Sequence, residues 1–147
     1  MKKILMLAMV LGLLVSGCTK KYCFIRPGLL EVNQVTVGSI MIEKQECFGK
    51  ITVNRCVTPL ELSYLGKTQT GNHIRVGSRV GSRTKVVTEV TYPENSQFIE
   101  FQDVKFELVE ANDSWIRFKL ISISTIGCDK VNGQEVKGGD PNEILNG

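Results

Sequence analysis

A chain of 147 residues, 42% hydrophobic and 22% charged, is one domain's worth of sequence with enough apolar content to bury a core. Its 18 basic and 15 acidic side chains leave a formal charge of +3, too weak a field to draw it to nucleic acid by charge alone. With a single histidine, any histidine-based triad has to run through His73, and the five cysteines lack the close pairs that zinc ligation needs.

In chain order, Lys2-Lys3 precede an uncharged apolar run from Ile4 to Val15, followed by Ser16-Gly17-Cys18. As a helix that run spans about 18 Å, against roughly 30 Å of hydrocarbon, so it is too short to cross a bilayer. A basic start, a short apolar middle and small residues at the end are what an export leader requires. Val15-Ser16-Gly17-Cys18 resembles the lipobox of bacterial lipoproteins. The resemblance covers residues 1–18 alone. It implies a diacylglycerol on the Cys18 sulfur, cleavage just before that residue, and palmitate-type acylation of the new amino terminus. Thr19, where aspartate would favour the inner membrane, implies the outer membrane of a two-membraned bacterium. One acyl chain binds marginally, at about 0.8 kcal/mol per buried methylene, whereas two or three hold the protein permanently. Residues 1–17 are then a signal helix and 18–22 a lipidated tether. Without Lys2 and Lys3 the remaining chain carries 16 basic against 15 acidic side chains.

From Tyr22 onward the apolar residues recur with period two: Ile40 and Ile42, Ile51 and Val53, Leu60, Leu62 and Tyr64, Ile74 and Val76. This predicts an all-β domain over residues 23–128, a small antiparallel β-sandwich or barrel. Phase shifts in the alternation place bulges or bends at Asn33-Gln34, Gln102-Asp103 and Leu120-Ile121. Thr84 to Tyr92 reads as a strand closed by the turn Pro93-Glu94-Asn95-Ser96. Val104 to Leu120 predicts a hairpin pairing Leu108 with Ile116, Phe106 with Phe118 and Val104 with Leu120 around Ala111-Asn112-Asp113. Its flaw is Lys105 opposite Lys119. From Asp129 the composition turns polar and glycine-rich, which predicts a flexible tail over 129–147.

With Cys18 taken by lipid, Cys23, Cys47, Cys56 and Cys128 remain, an even number that predicts two disulfides in an oxidising compartment. Three connectivities are open. Spacing favours Cys47 with Cys56 across a strand reversal, and Cys23 with Cys128 closing the domain end to end.

The tandem Val76-Gly77-Ser78-Arg79 and Val80-Gly81-Ser82-Arg83 forms the one local basic cluster. Arg75, Arg79, Arg83 and Lys85 are its candidates for holding a phosphate, sulfate or carboxylate, and the plainer reading is a solvated loop or a charged edge strand. His73 reads as a surface histidine. Trp115 is expected to cap the open end of the core, with a partner-binding anchor as the alternative. Asp129, Asn132, Gly133 and Glu135 lack the spacing of a calcium loop. No catalytic signature, metal set or cofactor motif emerges. The expectation is a non-enzymatic envelope lipoprotein without cofactors. It would meet membrane lipid through Cys18 and an envelope protein or polymer through its β domain, with no nucleic-acid partner. The alternative is a ligand-binding or inhibitory module using the loop around Arg79 and Arg83 against a wall polymer, lipopolysaccharide or a lytic enzyme. Small lipid-anchored lysozyme inhibitors are similar in layout only, because their Ser-Gly-rich, tyrosine-containing loop is absent here.

Overall fold

The computed structural model describes residues 20–49 and 55–136, so the expected signal helix, Cys18 and residues 137–147 of the expected tail lie outside the described residues. Period-two patterning has its expected consequence: all regular structure among the described residues is β. The strands are β1 (Lys21–Arg26), β2 (Val32–Thr36), β3 (Ile40–Phe48), β4 (Arg55–Thr68), β5 (Gly71–Val80), β6 (Arg83–Tyr92), β7 (Phe98–Phe101), β8 (Val104–Ala111), β9 (Trp115–Ile123), β10 (Lys130–Val131) and β11 (Gln134–Glu135). They form two sheets, ordered β11-β10-β1-β3-β4-β5-β6 and β2-β9-β8-β7, rather than a closed barrel.

The inward members of each alternation meet between the sheets. Ile42, Leu62, Tyr64, Ile74 and Val76 come from the larger sheet, and Ile99, Val104, Phe106, Ile116, Phe118 and Leu120 from the smaller. Each such side chain contributes about 1.5–3 kcal/mol on burial. Phe106 and Phe118 pack edge to face, their ring centroids 6.0 Å apart, the arrangement the ring quadrupoles favour.

The β8–β9 hairpin forms in a different register from the expected one. Leu108 pairs with Phe118, Phe106 with Leu120 and Val104 with Ile123, with irregularities that leave Val109 and Ile121 as extra residues. The shift is two residues at Phe106 and Leu108, which keeps the same apolar set inside because strand side chains alternate, and the extra residue Ile121 makes it three at Val104. It also removes the lysine clash. Glu107 now faces Lys119, with 3.2 Å between the charged groups, and Glu110 lies across from Arg117 at 3.6 Å. The loop becomes Asn112-Asp113-Ser114, held by Asn112 Oδ1 accepting the N–H groups of Ser114 and Trp115. Of the expected bends, Leu120-Ile121 is the bulge opposite β8, and Gln102-Asp103 is the tight turn joining β7 to β8. Asn33-Gln34 instead runs through β2 without interruption.

Cys23 is bonded to Cys128, and Cys47 to Cys56. The second pair lies directly across β3 and β4. Beyond Cys128 the chain does not leave the fold at Asp129, contrary to the expected flexible tail. β10 pairs in parallel with β1, and Asn132-Gly133 turns the chain into β11. Both turn residues have positive φ, 48° and 86°, the type I′ geometry for which Asn-Gly is suited. Asp129 accepts the N–H of Lys21 through its carboxylate, and Asn132 grips Ile25: its Oδ1 accepts the Ile25 N–H at 2.9 Å and its Nδ2 donates to the Ile25 carbonyl at 3.3 Å. Those side chains outweigh the polar composition that suggested disorder.

Candidate functional site

The duplicated basic segment forms the β5–β6 hairpin, turning at Gly81-Ser82. Register decides what its cations can do together. Arg75 pairs with Glu89 and Arg79 with Thr84, whereas Ser78 pairs with Lys85 and Val80 with Arg83. Because paired residues share a face and neighbours alternate, Arg75 and Arg79 lie on one side of the sheet and Arg83 and Lys85 on the other. The four do not converge on one anion. Arg75 is also bound to Glu89 at 2.9 Å, and Arg79 bridges Glu43 and Glu61, two carboxylates directly opposite each other on β3 and β4. Among the described residues Arg83 and Lys85 form no ion pair, and both are exposed. His73 shares Glu89 with Arg75, its Nε2 3.3 Å from the carboxylate. Trp115 does not cap the core. Its neighbour Ile116 takes the inward position, and Trp115 turns to the outer face, where the Arg117 guanidinium lies 5.4 Å from its ring centroid.

The structure draws attention elsewhere, to a cleft of about 210 Å³ at one end of the two sheets. Lys67 at the end of β4, Asn72 at the start of β5, the β6–β7 turn from Glu94 to Gln97 and the end of β8 from Leu108 to Ala111 line it. Asn72 occupies the inward phase of β5, in step with Ile74 and Val76, and is completely buried. Neither its Nδ2 nor its Oδ1 has a hydrogen-bond partner within the protein. Each unpaired buried group costs about 1–3 kcal/mol. A leucine or valine at that position would avoid the cost.

The backbone next to Asn72 runs close against β6. Gly71, at φ +146°, lies so close to β6 that an added Cβ would stand 1.9 Å from the Tyr92 carbonyl oxygen. At the rim, Lys67 is ion-paired to Glu94 and holds that carboxyl below its usual pKa by hydrogen bonding and charge. Leu108 donates its N–H to the Gln97 carbonyl, fixing β8 against the β6–β7 turn. The signal in the sequence was an asparagine in the apolar phase of an alternating strand.

A second, smaller cleft of about 140 Å³ lies between Lys44, Glu46, Pro59 and Leu60 on one side and the β7–β8 turn on the other. Two of its charged groups, Lys44 and Glu46, are paired with each other. Glu46 binds Lys21 at 2.8 Å and Lys44 at 3.2 Å. Burial pushes its carboxyl up, but the hydrogen bonds and charges of the two lysines more than offset this, and its pKa lies below the ordinary carboxylate value. Among the described residues no group of three His, Cys, Asp or Glu side chains is placed to hold a metal ion. Comparison with known proteins finds no matching family model, no matching curated protein and no matching solved structure.

Proposed function

We propose that the chain is a non-enzymatic bacterial envelope lipoprotein, anchored through acylated Cys18 and acting by contact between its β domain and another envelope protein or polymer. The observation that carries this reading is Val15-Ser16-Gly17-Cys18 placed directly behind a short export leader. The position of the first strand supports it. β1 starts at Lys21, so only Thr19 and Lys20 separate it from Cys18, a reach of about 10 Å when fully extended. Lys21 is itself fixed to the body through Asp129 and Glu46. A lipid on Cys18 therefore brings the base of β1 to the membrane surface, together with Phe48, whose ring lies 5.7 Å from Lys21 Nζ, and the exposed Ile126. Confinement to that surface raises the effective concentration for envelope partners without adding a contact. Thr19 favours the outer membrane.

Cys18→Ser tests the proposal. With the native protein, in-cell cross-linking followed by density fractionation should recover the domain with its partner in the outer-membrane fraction. The variant should lose both the membrane fraction and the cross-link. A variant that keeps the same fraction and the same cross-link overturns the reading.

A further inference from the structure

Asn72 is the only side chain among the described residues with every polar atom buried and unpaired, and it is one of the residues lining the cleft between β5, β8 and the β6–β7 turn. We propose that this cleft binds one residue of an extended polypeptide, with the Asn72 amide clamping that residue's backbone N–H and C=O. The inference rests on the reading of the domain as a contact module and is independent of the lipid anchor.

The chemistry of the amide defines the class of ligand. A carboxamide offers one acceptor and one donor site side by side, so a ligand that satisfies it has to present a donor and an acceptor in matching order. In an extended strand the N–H and C=O of one residue point to the same side, which is that pattern. The molecule contains the arrangement already: Asn132 accepts from Ile25 N–H and donates to Ile25 C=O. Asn72 has the same group and no such residue. An anion would meet only the donor, and a cation only the acceptor, leaving the other half unpaired.

Size and charge agree with a single peptide residue. The cleft holds about 210 Å³, below the roughly 300–1,000 Å³ of sites that enclose drug-sized ligands. Its rim cation, Lys67, is already neutralised by Glu94, and the further acid in the lining, Glu110, is paired with Arg117 at 3.6 Å, while Ser96 and Gln97 add uncharged polar groups. Selection by net charge is therefore absent, and the main chain is what the site can read. Leu108 and Ala111 supply apolar wall for a small side chain. Since no polar atom of Asn72 is open to solvent as the cleft stands, binding includes a shift of the groups above it.

The experiment uses the full chain, purified from membranes in detergent and labelled with ¹⁵N, and observes the Asn72 side-chain amide by NMR. The probe is N-acetyl-alanine N′-methylamide, the smallest molecule that presents one residue between two peptide groups. Its proline counterpart lacks the N–H. The proposal expects saturable shifts of the Asn72 amide at millimolar alanine probe. The proline probe should bind at least about tenfold more weakly, as loss of one of two buried hydrogen bonds requires. In Asn72→Asp, which has no donor when ionised, the shifts that the probes induce in the backbone amides of Gln97 and Leu108 should be lost. An unmoved Asn72 amide, an equal response to the proline probe, or undiminished binding in a folded Asn72→Asp protein overturns the proposal. The wild-type comparison decides the matter even where the variant fails to fold. Each of those failures leaves membrane anchoring untouched, whereas loss of anchoring in Cys18→Ser leaves the cleft intact.

Discussion

Removing the two disulfides separately should give unequal losses of stability, and the difference follows from chain length. Cys23–Cys128 closes a loop with a sequence separation of 105, and Cys47–Cys56 one of 9. In the chain-entropy model these constrain the unfolded state by about 4.7 and about 2.6 kcal/mol respectively. Against a total of about 5–15 kcal/mol for a domain, the long loop accounts for a third or more of the stability. Its loss also releases the segment leading into β10 from β1, where Cys23 and Cys128 are both buried, so the small voids left by alanine add to the cost. The assay is urea unfolding of the Cys23→Ala/Cys128→Ala and Cys47→Ala/Cys56→Ala proteins, followed by fluorescence of Trp115, the single tryptophan, and by circular dichroism. The first variant should be less stable than the second by about 2 kcal/mol. Equal losses, or a larger loss for Cys47–Cys56, would refute the loop-length reasoning.

Tyr64→Phe removes the hydroxyl that donates to the Asn112 carbonyl at 2.7 Å and should cost about 1–3 kcal/mol in the same unfolding assay. Burial, reinforced by the charge of Asp113, raises the Tyr64 pKa. Its contribution is therefore complete below the ordinary tyrosine pKa and fades as pH climbs through the raised value, so the variant should show a flatter alkaline limb. Glu46 has the opposite sign: its lowered pKa gives stability that is present above the ordinary carboxylate value and lost as pH falls through the folded one. Glu46→Gln should accordingly flatten the acid limb of a stability-pH profile. Gly71→Ala places a methyl group against the Tyr92 carbonyl at a backbone angle hostile to side chains. A loss on the order of 4 kcal/mol or more is expected, with hydrogen exchange accelerated first along β5 and β6.

Strand content and the core were legible because alternation is a local property: Ile42, Leu62, Ile74 and Val76 announce their face within a few residues. Register was harder. The apolar pattern of β8 and β9 fits two registers equally, and only charge chooses between them. Lys105 opposite Lys119 was the visible symptom of the wrong choice, resolved when Lys105 falls opposite Ser122 and Lys119 opposite Glu107. The basic cluster misled for a related reason. Arg75, Arg79, Arg83 and Lys85 are close in sequence, but the register of the hairpin turn, with Val80 opposite Arg83, distributes them over both faces. At the C-terminal end, composition hid a specific signal, since Asn132-Gly133 is a hairpin turn whatever surrounds it. Asn72 was readable in principle as a polar residue out of phase. That the alternation leaves both its polar atoms unpaired depends on β8 and the β6–β7 turn, which are distant in sequence.

Intact-mass spectrometry of the protein extracted from the membranes of its own cells tests the anchoring reading most directly. A polypeptide starting at Cys18 and carrying the added mass of a diacylglycerol and an amide-linked fatty acid is the predicted species, partitioning into detergent. A chain with a free thiol at Cys18 and no acyl mass, recovered in the aqueous phase, would contradict it.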